Sequence, residues 1–172
     1  MTHLRKYRSW SIGILVLMAA LFLAVTTPAL AQDNPARPTP NGANLELFYA
    51  RELLVSDRQA EALGRAGEAI TRVEGLIVRL QGEGFDTADL ETALATYRSG
   101  IAAAQSAHDE AAAVLSTHAG FDADGHVTNL AQALDTVRTA GQSLREAHLK
   151  LRTANLDLRQ ALRAWHEAHR PA

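Results

Sequence analysis

From Leu130 onward the chain steps by four residues and then three through Leu130, Leu134, Val137, Gly141, Leu144, His148, Leu151, Asn155, Leu158, Leu162, Trp165 and His169. Most of these positions are apolar, and no proline interrupts the stretch from Val127 to His169. A period near 3.5 held that long predicts an amphipathic helix packed on its partners along a coiled-coil-like seam. Two earlier stretches carry related patterns. Leu63, Ala66, Ile70, Val73, Ile77 and Leu80 fall on one face of a helix over 45–81. Leu90, Leu94, Tyr97, Ile101, Ala104, His108, Ala111, Leu115 and His118 do the same for a helix over 86–118. Gly82-Glu83-Gly84 offers positive-φ residues where the first helix should end. Phe85 and Leu90 are spaced as a hydrophobic staple around an Asp86 N-cap, and Asn129 is placed to cap the third helix with Gln132 closing the box.

The expected fold is therefore all-α, an up-down-up antiparallel three-helix bundle with helices over 45–81, 86–118 and 127–169 in a bundle domain at 45–170. Charge supports pairing the second and third helices. Asp86, Asp89, Glu91, Asp109 and Glu110 make the second acidic, whereas five arginines and Lys150, with Arg170 just beyond, make the third basic. Leu90, Ala93, Leu94, Thr96, Arg98, Ala107 and His108 also recur forty residues later as Leu130, Ala133, Leu134, Thr136, Arg138, Ala147 and His148, which suggests a duplicated helical unit.

The first 31 residues have another character. A basic start (Arg5, Lys6, Arg8), an apolar run over 12–25 and Ala29-Leu30-Ala31 read as a signal peptide cut after Ala31. The competing reading is an uncut membrane anchor over 9–31. Both readings export the remainder, to the periplasm or the extracellular space. Residues 32–44, with Pro35, Pro38 and Pro40, read as a disordered tether.

Composition narrows function mainly by exclusion. The 172 residues are 47% apolar but only 5% aromatic, which suits close helix packing better than a roomy ligand pocket. The absence of cysteine excludes disulfides, thiolate metal sites and covalent haem attachment. Removing the leader takes three of the 17 basic side chains and none of the 19 acidic ones, leaving 14 against 19, net −5. A nucleic-acid partner is therefore not expected. No histidine has an acid three residues before it, as a helical di-iron site needs, and both methionines lie in the leader. With no phosphate loop, nucleophile elbow or zincin helix either, neither an enzyme nor a bound cofactor is expected.

Several side chains remain candidates for binding. Arginine recurs every seven residues at Arg51, Arg58, Arg65, Arg72 and Arg79, a stripe suited to phosphates or anionic glycans, although the six acids of the same helix favour a solvated face. Asp122, Asp124, Gly125 and Val127 match the third, fifth, sixth and eighth positions of an EF-hand loop. Gly120 and Ala131 stand where its first and twelfth ligands belong, so an ordinary Asp-Gly turn is the simpler expectation. His118 and His126 flank that loop, and His166 and His169 stand three apart on the last turn; with Asp122 and Asp124 they are the metal candidates. His108 and His148 fall on the expected seam, level with Gln59 and Tyr97 as hydrogen-bond partners. Beyond Arg159 the third helix should outreach the others by roughly 15 Å. Leu162 and Trp165, ringed by Arg159 and Arg163, would form a docking surface there unless other parts of the chain cover them.

The leading expectation is an exported, non-enzymatic interaction or structural module that binds a protein partner or itself. A metal or ligand carrier and an envelope chaperone are the alternatives. The chain shares size and class with periplasmic helical chaperones but lacks their repeated LTxxQ signature, so no family is assigned.

Overall fold

The computed structural model describes residues 41–169. The expected signal segment and residues 32–40 of the expected tether lie outside the described residues. Within them the chain is all-α, with three long helices packed together: α1 (Gly42–Gly82), α2 (Ala88–Ser116) and α3 (Leu130–Ala168). The most extensive packing is between α2 and α3.

Local chemistry sets the ends. Asn41 caps α1 by accepting from the Asn44 amide at 2.9 Å, so the helix begins three residues earlier than the 45–81 expectation. It closes in a Schellman turn, with Gly84 at φ +85°, the Gly84 amide on the Gln81 carbonyl and the Phe85 amide on the Leu80 carbonyl. Thr87, rather than Asp86, holds the cap position of α2, while Asp86 accepts from the Ala88 amide at 3.0 Å. Asn129 caps α3 as expected, accepting from Ala131 and Gln132. Its own amide bonds Gly120, so Gln132 does not close a box.

The buried face of α3 is centred differently from the leucine seam. It runs through Ala133, Thr136, Ala140, Leu144, Ala147, Leu151, Ala154 and Leu158. Leu144, Leu151 and Leu158 are inside as expected, whereas Leu130 and Leu134 remain 51% and 43% exposed and His148 faces solvent. The physical reason is interaxial distance. Ala104, Ala107 and Ala111 of α2 are buried with the alanines of α3, and small side chains let two helices approach closely. At Gly100 the approach is close enough that a β-carbon there would lie 2.8 Å from that of Ala154.

Two apolar clusters make the core. One joins Leu63, Val73 and Ile77 to Leu94, Tyr97, Leu151 and Leu158; the other joins Leu45 and Tyr49 to Leu115, Phe121, Ala140 and Leu144. Gln59 stands at a polar layer that engages all three helices. Its amide nitrogen donates to the Leu144 carbonyl at 3.1 Å, which turns its oxygen toward His108 Nδ1 at 3.2 Å. That oxygen accepts only, so Nδ1 carries the proton and donates. The expected His108–Gln59 pairing is therefore present. Tyr97 instead donates to Asn155 at 3.1 Å, about two helical turns from the expected His148.

Cutting this layer on one side leaves a buried polar group alone. Gln59→Leu should cost about 1–3 kcal/mol in urea denaturation, and adding His108→Leu should recover most of the loss. A double variant at the summed cost of the two singles would contradict this.

Candidate functional site

Arginines on α1 and α3 recur at the same interval. Those of α1 stand at 51, 58, 65 and 72; those of α3 stand at 138, 145, 152 and 159. Seven residues are nearly two full turns, so each set keeps to one edge of its helix and rises about 10.5 Å per step. The α3 recurrence is visible in the sequence, but only the structure shows that the two rows line one groove. The Gln59–Leu144 bond and the approach of Glu52 to Gly141 fix the register between the two helices.

The groove comprises two depressions of about 340 and 740 Å³, continuous through Ala62 and Leu151. Arg51, Arg58, Arg145 and His148 line the first, and Arg65, Arg72, Arg152 and Arg159 the second. Among the described residues Glu52 is the one carboxylate of the combined lining. Arg65 and Arg72 sit 3.7 and 3.8 Å from Glu61 and Glu68, in exposed pairs that add little stability. Arg51, Arg58, Arg145, Arg152 and Arg159 have no ion-pair partner among the described residues.

The floor is largely apolar, with Val55, Ala62, Ala66, Leu144, Leu151 and Leu158 along it and Gln59 and Asn155 among them. It opens as far as Tyr97 of α2. Burial pushes the Tyr97 phenol up from its ordinary pKa, while Arg159 and Arg72, one from each wall, pull it down. At the other end Phe48, Leu134 and Val137 line a third depression that shares Glu52, Gly141 and Arg145 with the first. One face thus passes from apolar to cationic along its length.

The metal candidates are placed differently. His118, Asp124 and His126 line one depression of about 510 Å³ together with Tyr49 and Glu46. Glu46, more than seventy residues away in sequence, had no signal pointing to it. Existing contacts already engage several of these groups. Tyr49 stacks on Phe121 with ring centres 4.1 Å apart, and its hydroxyl lies 2.9 Å from His118 Nδ1. Glu46 accepts from the Val127 amide at 2.9 Å and lies 3.6 Å from His126 Nδ1. Asp122 turns inward on its own loop, accepting from the amides of His126 at 2.8 Å and Asp124 at 3.0 Å. Among the described residues no group of three or more histidine or carboxylate side chains is arranged to hold a metal ion. His169 donates from Nδ1 to the Trp165 carbonyl at 2.9 Å, and His166 is exposed.

The end of α3 also differs from the overhang expected of it. Trp165 donates to the Asp86 carbonyl at 3.0 Å, meets Phe85 edge-on and is stacked by His169 at 4.3 Å. Leu162 is half-buried on the core. The α1–α2 turn, aimed by the left-handed Gly84, therefore reaches the level of Trp165 and covers part of this surface. Arg163 stays exposed, and Arg159 belongs to the groove.

No protein-family model, curated protein or solved structure matches the chain.

Hydrogen bonds make the Asp122 loop sensitive to acid. The His126 backbone amide, foremost, holds the Asp122 carboxyl below the usual aspartate range, with the Asp124 amide and the His126 charge adding to it. A depressed folded-state pKa gives stability that is present above about pH 4 and lost as pH falls through the lowered value. Asp122→Asn should therefore be less stable than the wild type at pH 7, and the gap in urea midpoints should close toward pH 2.5. A gap constant from pH 7 to pH 2.5 would contradict this.

Proposed function

We propose that the protein is an exported, non-enzymatic interaction module of the cell envelope or extracellular space, an up-down-up antiparallel bundle whose α1·α3 face receives a protein partner. The open groove carries this reading. Phe48 and Leu134 stay 46% and 43% exposed at its apolar end, although full burial of such side chains is worth about 1.5–3 kcal/mol each. Contiguous apolar side chains rimmed by charge are the usual chemistry of a protein-binding surface. Arginine is also among the residues enriched at binding hot spots. Export rests on the three-part pattern of residues 1–31, with retention of residues 9–31 as an anchor the alternative. A carrier reading rests on the depression shared by His118, His126, Asp124 and Glu46. Their engagement with Tyr49 and within the loop favours the interaction reading.

The test uses the full chain expressed with its own leader in a host that exports it. Mass spectrometry of the envelope fraction should find a chain beginning at Gln32. A photocrosslinker at position 48 should give a defined protein adduct, and one at position 105, on the exposed face of α2, should give none. Equal labelling at both positions, or no adduct at 48, would contradict the interaction reading.

A further inference from the structure

We infer that the occupant of the α1·α3 groove is an acidic amphipathic α-helix of a partner protein, its apolar stripe on the groove floor and its carboxylates along both rims. This rests on the interaction reading above and adds the chemistry of the partner.

Three observations converge on a helix. The charge of the lining is one-sided, since seven arginines, two of them paired with Glu61 and Glu68, line the two continuous depressions against Glu52. The pitch is helical on both walls: arginines stand every seven residues on α1 and every seven on α3, about 10.5 Å per step. That is the interval at which a heptad helix presents the edge positions that choose partners in coiled coils. The floor between the rims is largely apolar, lined by Val55, Ala62, Leu144 and Leu151.

A flexible polyanion answers only the first of these. It neutralises the rims and leaves the floor wet. An amphipathic helix meets rims and floor together, and its cationic neighbours hold it in register. The span from Arg51 to Arg72, roughly 30 Å, accommodates three heptads. A second copy of this chain is a poor occupant. Its acidic helix, α2, has Leu90, Leu94, Ala104 and Leu115 buried against its own neighbours and offers no free apolar stripe.

The probe is a synthetic four-heptad peptide with leucine at the two core positions and glutamate at the two edge positions of each heptad. Titrated into the exported protein at low ionic strength, it should bind and gain helicity. Affinity should fall roughly tenfold or more at 0.5 M salt and by a similar factor in Arg58→Glu/Arg152→Glu. Arg51→Glu/Arg145→Glu gives a second, independent pair, and circular dichroism of both variants alone verifies that they fold. The same peptide with lysine at the edge positions should not bind. Failure of the acidic peptide to bind, affinity unchanged by both charge reversals, or equally tight binding of poly-glutamate or heparin would overturn the inference. A position-48 adduct with a protein lacking acidic heptads would overturn it too, while leaving the interaction reading in place.

Discussion

Alanine and glycine let α2 and α3 approach closely, and the remaining contacts of the bundle are arranged around that approach. Gly100 has no room for a β-carbon beside Ala154, and Ala104, Ala111, Ala133, Ala140 and Ala147 are completely or almost completely buried. Small side chains contribute little apolar area apiece, but they bring backbones together and lose no rotamer entropy on burial. Much of the larger aliphatic material is contributed by α1 and by the outer turns of α3, where Leu63, Val73, Ile77, Leu151 and Leu158 complete one of the two apolar clusters. Gln59 then ties α1 to both partners at a single level.

The groove follows from this arrangement. Because α3 turns its alanine face to α2, its arginine edge is left toward α1, whose own arginines line the opposite wall. The facing cations repel one another, and no ion pair among the described residues engages Arg51, Arg58, Arg145, Arg152 or Arg159. Such a surface is stable because the guanidinium groups are exposed and screened by solvent. The largely apolar floor between the rims is what the proposed partner binding rests on.

Helix number, class and approximate limits were legible in the sequence because apolar periodicity and the Gly84 and Asn129 signals are local. The centre of the α3 seam was not. Leucine draws the eye, yet alanine one position away makes the contact, since hydrophobicity along one chain does not encode how near a neighbouring helix will come. The α1 arginine stripe was legible as a pattern; its role depends on the α3 row across the groove, a tertiary relation. Likewise, residue counts along straight helices do not encode that Gly84 turns Phe85 and the Asp86 carbonyl onto Trp165.

A pair of urea denaturation curves tests the packing claim most directly, comparing Ala140→Leu with Leu134→Ala. Enlarging the fully buried Ala140 should cost about 1–3 kcal/mol through overpacking, while trimming the half-exposed Leu134 should cost well under that. A neutral Ala140→Leu together with a loss of about 2–5 kcal/mol for Leu134→Ala, the cost of a cavity in a leucine seam, would contradict it.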